Sequence, residues 1–555
     1  MDLNVYKQNI LNWYPFKKED TILEIGANEG ELTQIFINNC KEVIAIETNP
    51  LKAEKIIEKF QKNKNLKVMK TSVEQFQSDK KFDYITLIGI VERLEELVGN
   101  NLKLAKIIKK LEQFLKPQGK ILIAVDNKFG LKFFAGDTEK VLDKKFVSLN
   151  GYNNESKKIE TFTKSRLERI LGEMGYKTNF YYPLPDYKLP AVIFSDKHLP
   201  NYTSIDKYNP YHTEKSTILI NEIDVFREIL KNNEEMFTFF ANSFLVEASK
   251  ENFESEFKYV SFNNLRKQKY QLITKISESY VEKQIVNKKA EEHYENIKTN
   301  INILKQNEID TVDYVEENKI KSKYIDQKYL LNNVLAEKLE NGKLEEFNNI
   351  LDKYIQIISK NSYKETDYQK TIFGNYNIDT EDESIIEELH FLPNGLWDMT
   401  FKNCFYVDNK FLFFDQEWNK PNLPYEYILY RSILYTISLR RFLSIEDLYK
   451  KYNLTNYLEL FKKLDDRLQE EIRDDEVWKF YSQDKFIDID GTKQEIINVN
   501  IRNEAMQGAI DNLKKENEKI KSEYENYRHN IESKTSYKIY KKLKRLTKLS
   551  GGKNE

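Results

Sequence analysis

The fold of the first part of the chain is decided by one stretch, TILEIGANEG at residues 21–30. A run of β-forming residues leads into a turn with Gly26 and Gly30, and a helical pattern follows at 31–39. Glycines at such a turn let the backbone approach a ligand closely at the N-terminus of the helix. The spacing is G-x-x-x-G rather than the dinucleotide pattern G-x-G-x-x-G, so the turn alone is weak evidence for a cofactor site.

An acidic residue on the next predicted strand strengthens this interpretation. Glu47 ends the run EVIAIE at 42–47. A carboxylate at this place can accept hydrogen bonds from both hydroxyls of a ribose. The turn and Glu47 together predict a site for a ribose-containing cofactor, and the alternative is an ordinary turn followed by a solvated glutamate.

Strand-like and helical runs alternate around this stretch from about 20 to 126. The alternation predicts parallel βαβ units and therefore a Rossmann-like, doubly wound α/β sheet. The predicted strands of this sheet are 21–25, 42–47, 66–70, 82–88 and 119–125.

The composition bounds the class of protein. The chain has 555 residues, which predicts at least two domains. Its 87 Lys and Arg against 89 Asp and Glu give a formal net charge of −2, which argues against a uniformly basic nucleic-acid-binding protein. Cys40 and Cys404 are too few for a disulfide framework or a zinc site. Because no signal peptide or membrane-spanning apolar run is evident, we expect a cytoplasmic protein.

Motifs over about 10–195 resemble those of the class I S-adenosylmethionine-dependent methyltransferases. LEIGANEG at 23–30 resembles their first motif, IETNP at 46–50 their second-strand acidic motif, and FDYITLIGIVE at 82–92 the fourth-strand motif that faces the reactive methyl group. The resemblance implies S-adenosylmethionine as cofactor. The residues that it implies for cofactor binding are Glu24, Gly26, Asn28, Gly30, Glu47, Ser72 and Val73.

Other segments look like methyltransferases from bacterial surface-polysaccharide gene clusters. These segments are 10–16, 126–136 and 181–190. This resemblance implies that Tyr14 and Asn127 lie in the active site, and the alternative for Tyr14 is a plain core aromatic residue. A sugar hydroxyl as acceptor needs a catalytic base, for which Glu92 or Asp126 is available, whereas a phosphate oxygen needs none. Neither N-P-P-Y nor D-P-P-Y follows the fourth strand, which argues against adenine-N6 DNA methylation. Because the domain also has no dominant basic patch for phosphate backbones, we expect no nucleic-acid partner.

A second pattern of polar residues lies far downstream. Asn403 follows Asp398 by five residues, and Asp415 follows after twelve more. This spacing matches the protein-kinase catalytic loop H-R-D-x-x-x-x-N and its later metal-binding aspartate. In phosphoryl transfer one carboxylate accepts the proton of the acceptor, while an amide and a second carboxylate hold magnesium on the phosphates. The resemblance to this loop implies ATP and Mg²⁺ as cofactors, Asp398 as the catalytic base, and Asn403 and Asp415 as metal ligands.

The surrounding region, 246–495, resembles the aminoglycoside-phosphotransferase and lipopolysaccharide-kinase branch of kinase-like folds. The resemblance implies that Lys283, in a strand-like run at 280–286, binds the phosphates. It also implies that this lysine pairs with Glu291 or Glu292 on the next helix.

The same region departs from the kinase pattern in three places. Trp397 replaces the Arg of H-R-D, the sequence at 415–417 is D-Q-E rather than D-F-G, and the hairpin at 260–272 has no glycine-rich loop. The alternative is therefore an inactive kinase-like domain that binds the acceptor or serves as a scaffold.

The C-terminal region has a heptad pattern and then a basic tail. One polar residue, Asn517, lies in the apolar seam, which is typical of dimeric coiled coils. The alternative is an amphipathic helix docked on its own chain. The seam residues are Met506, Ile510, Leu513, Asn517, Ile520, Tyr524, Tyr527 and Ile531.

The tail, residues 534–555, carries eight Lys or Arg and one Glu. Ile539, Leu543 and Leu546 share one helical face, a pattern typical of helices that lie on anionic membranes. We therefore expect peripheral contact with the inner face of the cell membrane, and a solvated tail is the alternative.

The order of these regions resembles the bifunctional methyltransferase–kinases that terminate O-antigen chains. The resemblance implies methylation of a cell-surface glycan or its phosphorylated terminus, a lipid-linked oligosaccharide as acceptor, and self-association through the coiled coil. The predicted regions are a methyltransferase domain at 1–195, a connecting helical segment at 196–245, a kinase-like domain at 246–495, a coiled coil at 496–533 and a basic tail at 534–555.

Overall fold

The computed structural model of the chain divides into two units, Met1–Asp484 and Lys485–Glu555, and each is described by itself. The residues that it describes are 4–93, 104–139, 142–154, 161–202, 204–205, 218–481 and 489–550.

The strands of the described residues all lie in the first unit. In chain order they are β1 Thr21–Ile25, β2 Glu42–Ile46, β3 Leu66–Met69, β4 Phe82–Ile88, β5 Leu115–Asp126, β6 Lys177–Leu184, β7 Val192–Ser195, β8 Ser243–Ser249, β9 Tyr259–Phe262, β10 Leu272–Ile276, β11 Tyr280–Ile285, β12 Asp313–Glu316, β13 Lys319–Lys323, β14 Phe391–Leu392, β15 Gly395–Leu396, β16 Cys404–Val407, β17 Lys410–Phe413, β18 Asn419–Lys420 and β19 Leu423–Pro424.

The α-helices of the described residues occur in both units. In chain order they are α1 Asn4–Lys7, α2 Thr33–Asn39, α3 Pro50–Lys59, α4 Leu104–Leu111, α5 Leu131–Phe134, α6 Lys164–Glu173, α7 Glu222–Asn232, α8 Met236–Phe240, α9 Glu291–Gln306, α10 Leu331–Glu340, α11 Leu344–Ile358, α12 Ile372–Asn375, α13 Tyr425–Leu434, α14 Ile445–Lys451, α15 Leu458–Ile472, α16 Asp475–Tyr481, α17 Ile489–Ser533 and α18 Thr535–Ser550.

The first thirteen strands form one sheet, in the order β3-β2-β1-β4-β5-β8-β6-β7-β9-β10-β11-β13-β12. Strands β1 to β5 are parallel wherever they pair. Successive side chains of β1 enter different cores, because Leu23 and Ile25 belong to one buried cluster and Ile22 to another. Apolar residues on both faces are what a covered parallel sheet requires. The predicted Rossmann-like sheet is confirmed over these five strands.

Strand β8 extends this part of the sheet, although it comes much later in the sequence, at Ser243–Ser249. It lies between β5 and β6 and is antiparallel to both. The predicted boundary between the connecting segment 196–245 and the region 246–495 falls inside β8, a strand that pairs with β5, more than a hundred residues upstream, and with β6. We call residues 4–249 the first module and residues 259–481 the second module.

The second module begins with an antiparallel sheet. Its strands lie in the order β9-β10-β11-β13-β12, and helix α9 follows β11 in the chain. The strand-like run predicted at 280–286 corresponds to β11. Strand β7 pairs with β9, with Val192 opposite Ser261 and Ile193 opposite Val260. One continuous sheet therefore joins the two modules, and a mainly helical core from α10, α11, α13 and α15 completes the second.

The second unit contains the long helix α17 and the helix α18. The helix predicted over the heptad seam is present, and apolar seam residues such as Ile510, Leu513 and Ile520 are exposed on the single chain. The coiled coil itself stays a prediction. Among the described residues, we find no helix that combines the length and apolarity needed to cross a membrane.

Candidate functional sites

A cavity of about 720 Å³ lies at the carboxyl ends of β1, β2 and β4, where ligands bind in open α/β sheets. We call it the methyl-donor cavity. Its lining residues are Lys7, Ile10, Glu24, Ile25, Gly26, Ala27, Asn28, Glu31, Leu32, Glu47, Thr48, Asn49, Lys52, Thr86, Ile88, Gly89, Ile90, Tyr187, Lys188 and Leu189.

The turn after β1 depends on its glycines. Gly26 has a φ of 71° and Gly30 a φ of 78°, values that residues with a side chain rarely adopt. A Cβ on Gly26 would lie 2.8 Å from Cγ2 of Ile90, and a Cβ on Gly30 would lie 2.8 Å from the ring of Phe60. Gly26 therefore lets Ile90 close one wall of the cavity, whereas Gly30 shapes the turn behind it.

Glu47 is fixed at the edge of the cavity by the backbone. Its side chain is buried, Oε2 accepts the N–H of Asn28 at 2.8 Å, and Oε1 accepts the N–H of Asn49 at 2.9 Å. Each carboxylate oxygen has a second lone pair for a ligand. Glu47 and Asn28 thus lie where the sequence predicts the cofactor contacts.

Glu24 is buried in the floor of the same cavity. Thr33 donates from Oγ1 to Glu24 Oε2 at 2.6 Å. Burial raises the pKa of Glu24 to about 8, and the Thr33 hydrogen bond opposes that rise. The cavity therefore holds a carboxyl group that a cationic ligand can convert to carboxylate.

Two predicted contacts lie outside the lining of the cavity. Val73 is buried in a hydrophobic core cluster, and the Ser72 carbonyl accepts the N–H of Phe76 at 3.0 Å. Neither Ser72 nor Val73 is among the residues that line the cavity, so their contact with the cofactor stays a prediction.

Tyr14 also lies away from the cavity. Its hydroxyl donates to Glu247, and its ring packs on Phe16 and Tyr84. Glu247 also accepts hydrogen bonds from Lys120 Nζ at 2.7 Å and Ser255 Oγ at 2.6 Å. Burial raises the pKa of Tyr14 well above its ordinary value. The structure therefore corrects the predicted catalytic role of Tyr14 in favour of the alternative, a core aromatic residue.

Glu92 and Asn127 take structural positions beside the cavity. Glu92 Oε1 accepts the N–H of Asp126 at 2.8 Å. The Asn127 amide donates to the carbonyls of Phe239 and Ala241 at 2.7 and 2.8 Å, so it ties β5 to the segment before β8. Neither residue lines the methyl-donor cavity, so the roles of Glu92 as a base and of Asn127 in the active site stay predictions.

Asp126 belongs to a buried network of two lysines and two aspartates. Lys132 Nζ lies 2.6 Å from Asp126 and 2.9 Å from Asp186, and Lys188 Nζ lies 3.6 and 3.5 Å from the same two residues. Burial alone would raise the pKa of Asp126, but the two lysines hold it below its ordinary value. A carboxylate held in this way is a weak base.

Several lining residues were not predicted. Lys7 and Ile10 come from the N-terminal segment, and Tyr187 to Leu189 come from the loop between β6 and β7. Gly89 has a φ of 65°, and a Cβ there would lie 2.8 Å from the Tyr187 ring. The stretch YYPLPDYKLP at 181–190 stands out in the sequence, yet nothing local shows that it folds over the cavity.

A second site lies in the second module. Asn403 donates from Nδ2 to the Asp398 carbonyl at 3.1 Å, and the N–H of Asp415 donates to Asp313 Oδ2 at 2.8 Å. Lys283 on β11 forms ion pairs with Asp415 and Glu417. The structure thus brings Asp398, Asn403, Asp415 and Lys283 together, as predicted.

The partner of Lys283 differs from the prediction. Glu291 and Glu292, at the start of α9, are exposed, and the carboxylates that pair with Lys283 are those of Asp415 and Glu417. Helix α9 presents His293 instead, whose Nε2 lies 3.6 Å from Glu417 Oε2. In the sequence, Glu417 could have been noticed as the last residue of D-Q-E, which stands at 415–417 in place of D-F-G.

Arg266 adds a second cation to this site. It lies in the loop between β9 and β10, where the resemblance places a glycine-rich loop, and its guanidinium donates to Glu417 and lies 5.3 Å from the Trp418 ring centroid. Burial raises the pKa of Asp398 to about 6, so this carboxyl group is ionised near neutral pH.

Over the described part of the chain, no group of three or more His, Cys, Asp or Glu side chains is arranged to hold a metal ion.

Comparisons with known proteins find a match for the part of the chain that forms the methyl-donor cavity. Residues 4–179 match a family model described as a methyltransferase domain. The curated proteins compared with the chain include no match. Among solved structures, the chain is similar to the N-methyltransferase NodS from Bradyrhizobium japonicum in complex with S-adenosyl-L-homocysteine, at 20% identity and a TM-score of 0.18, over 20% of this chain and 54% of that chain.

Other similar structures come from different organisms. A SAM-dependent methyltransferase from Aquifex aeolicus shows 17% identity and a TM-score of 0.24, over 32% of this chain and 82% of its own. Phosphoethanolamine N-methyltransferase 1 from Haemonchus contortus shows 12% identity and a TM-score of 0.27, over 46% of this chain and 44% of its own. Scores this low carry no inference about the substrate of this chain. The family match and the strand order β3-β2-β1-β4-β5 identify residues 4–179 as a class I S-adenosylmethionine-dependent methyltransferase domain.

Proposed function

We propose that the first module transfers a methyl group from S-adenosylmethionine to an oxygen of a cell-surface glycan or of its phosphorylated terminus. The observation that carries the proposal is the methyl-donor cavity, in which the glycine turn, Glu24 and Glu47 meet. S-adenosylmethionine supplies an electrophilic methyl group on a sulfonium. Glu47 is placed to accept hydrogen bonds from the ribose, and Glu24 balances positive charge.

The acidic residues near the cavity favour a phosphorylated acceptor over a free hydroxyl. Asp126, a predicted base, is occupied by Lys132 and Lys188, and Glu92 is bonded to the backbone of Asp126. A phosphate oxygen is already anionic and needs no base. Lys188, which lines the cavity, neutralises Asp126 and Asp186 together with Lys132, so these two carboxylates do not repel such an anion.

Binding of S-adenosylmethionine to the full chain tests the donor site. Calorimetric titration should show binding to the wild type, and Glu47→Gln should weaken it about tenfold or more, because a charged acceptor of two hydrogen bonds is lost. Glu58→Gln on the exposed face of α3 is the matched control and should bind as the wild type does. A wild type that does not bind S-adenosylmethionine would contradict the proposal.

The acceptor is tested with a lipid-linked oligosaccharide in phosphorylated and unphosphorylated forms. Transfer of a labelled methyl group to the phosphorylated form alone is the expected result. Transfer to neither form, by a chain that binds S-adenosylmethionine, would contradict the glycan assignment.

For the second module we propose phosphorylation of the same acceptor with ATP and Mg²⁺. Lys283 lies on the third strand of the module, ahead of helix α9, which is the placement of the phosphate-binding lysine of kinases. The amide oxygen of Asn403 and the carboxylate of Asp415 are ligands that suit magnesium, which retains phosphate oxygens and water as its other ligands. Asp398 would accept the proton of the acceptor hydroxyl.

The second candidate for this module is an inactive, acceptor-binding domain. The observation that favours it is the occupation of Lys283 and Arg266 by Glu417, in a module that lacks a glycine-rich loop. The two candidates predict different thermal shifts. Stabilisation by ATP that requires Mg²⁺ and disappears in Asp415→Ala supports the kinase, and no stabilisation of the wild type supports the inactive domain.

We also propose that α17 pairs with α17 of a second copy of the chain as a parallel coiled coil. With Ile510 and Asn517 at a positions, Glu516 and Glu523 occupy g positions and Lys521 and Arg528 occupy the following e positions. A parallel, in-register pair therefore sets Glu516 against Lys521 and Glu523 against Arg528 of the other copy, whereas an antiparallel pair would set like charges together.

A charge-swap series in analytical ultracentrifugation tests the pairing. Glu516→Lys should weaken self-association, and the double variant Glu516→Lys with Lys521→Glu should restore it. A wild-type chain that sediments as a monomer would refute the coiled coil.

The basic helix α18 is proposed to contact the inner face of the cell membrane. Ile539, Leu543 and Leu546 are exposed beside its lysines. Vesicles with and without anionic lipid test this contact: deletion of residues 534–555 should abolish binding to the anionic vesicles, and unchanged binding would contradict it.

A further inference from the structure

The second module touches one wall of the methyl-donor cavity. This wall consists of Tyr187, Lys188 and Leu189, and we call it the 187–189 wall. The residue after it, Pro190, offers its carbonyl to two asparagine side chains. Asn9 donates to this carbonyl from Nδ2 at 3.0 Å, and Asn264 donates to it from Nδ2 at 3.1 Å.

The two asparagines also bind each other. Asn9 donates from Nδ2 to Asn264 Oδ1 at 2.9 Å, and both side chains are almost completely buried, with exposures of 1% and 5%. Asn9 lies between Lys7 and Ile10, which line the cavity, whereas Asn264 belongs to the β9–β10 loop of the second module. A buried amide that loses one partner leaves the other group unsatisfied, so this arrangement is costly to disturb.

Apolar packing also links the second module to the 187–189 wall. Leu189 is 2% exposed and clusters with Tyr6, Val477 and the partly buried Leu265. Leu265 follows Asn264 in the loop, and its carbonyl accepts the N–H of Asp474 at 2.9 Å. Residues of the second module therefore hold the 187–189 wall both through the Pro190 carbonyl and through the Leu189 side chain.

We propose that Asn264 is a positioning residue of the methyl-donor cavity, so that the first module binds its cofactor fully only with the β9–β10 loop in place. This inference rests on the proposed methyltransferase function. Asn264 acts through Pro190 on the 187–189 wall and does not line the cavity itself. The first module is consequently not an autonomous methyltransferase, although it contains the glycine turn and Glu47.

The test compares variants of neighbouring asparagines in the full chain. Asn264→Ala should raise the Kd for S-adenosylmethionine about tenfold in calorimetric titration. Asn263→Ala is the matched control from the same loop, and its Kd should equal that of the wild type. Leu265→Ala is a second variant that disturbs the wall through packing alone, and it should raise the Kd in the same direction.

Hydrogen exchange separates positioning from a general loss of stability. In Asn264→Ala, the amides of 186–189 and of Ala191 should exchange faster while those of β4 keep the rate of the wild type. If the wild type binds S-adenosylmethionine and Asn264→Ala binds it equally tightly, the positioning role of Asn264 is overturned, while the proposed methyltransferase function is not. Equal weakening in Asn263→Ala would overturn it as well. A wild type that does not bind S-adenosylmethionine would overturn the proposed function first.

Discussion

Glu24 gives the methyl-donor cavity a pH dependence that can be measured. Its side chain is 4% exposed, and Thr33 Oγ1 donates to it at 2.6 Å. Burial raises its pKa to about 8. About one in ten Glu24 side chains is therefore ionised at pH 7 in the ligand-free chain. S-adenosylmethionine carries positive charge, so it should bind the chain with ionised Glu24 more tightly.

The size of the effect follows from this pKa. If ligand binding requires the carboxylate, the apparent Kd falls roughly tenfold between pH 7 and pH 9, and binding at pH 7 releases nearly one proton. Calorimetry in buffers of different ionisation enthalpy measures both quantities. Thr33→Val removes a hydrogen bond that favours the carboxylate, so the midpoint of the Kd profile should move to higher pH.

The control for this experiment is Glu24→Gln. The α-amino group of the ligand titrates with an ordinary pKa close to this window, so part of any pH dependence belongs to the ligand. The difference between the wild type and Glu24→Gln isolates the contribution of the protein. If the two chains show the same pH profile and release the same number of protons, the role given to Glu24 is refuted.

Three further changes have expected outcomes. The free energy of unfolding should fall as the pH rises from about 4.5 to about 8, because the folded chain keeps a proton on Glu24 that the unfolded chain releases, and urea unfolding of Glu24→Gln should lack this slope. Gly26→Ala should cost about 1–2 kcal/mol by the same assay, since its φ is 71°, and an unchanged midpoint would contradict this. Lys132→Met should cost about 3–5 kcal/mol, because Asp126 and Asp186 then share only Lys188, and a loss below 1 kcal/mol would contradict it.

The sequence was sufficient for the parallel part of the sheet and for its ligand turn. Helices α2, α3 and α4 connect β1 to β2, β2 to β3 and β4 to β5, and Gly26 and Glu47 directly follow β1 and β2, so local pattern determines both. Strand β8 could not be predicted in the same way. Its position between β5 and β6 depends on pairing with strands far upstream, which no local periodicity records.

The same distinction between local pattern and long-range contact separates the site residues that could be predicted from those that could not. Glu24, Asn28 and Glu47 lie on the motif itself and line the cavity. Tyr187 lies in the loop between β6 and β7, and its N–H donates to Ser243 Oγ on β8 at 2.8 Å, a contact between residues 56 positions apart. Tyr14 was assigned by resemblance, and the buried contact with Glu247 that keeps it in the core has no signature in the sequence.

The departures of the second module from the kinase pattern form one connected set. Glu417 is the third residue of the D-Q-E sequence that stands in place of D-F-G. It forms an ion pair with Lys283, whereas the glutamates at the start of α9 are exposed and do not pair with this lysine. Arg266 exists where a glycine-rich loop is expected, and it neutralises Glu417. Two cations thus face Glu417 and Asp415, so the charges balance at a buried site where an unpaired charge would cost several kcal/mol. The buried site is therefore organised around Glu417, which contacts Lys283, Arg266 and His293, and not around a glutamate of helix α9.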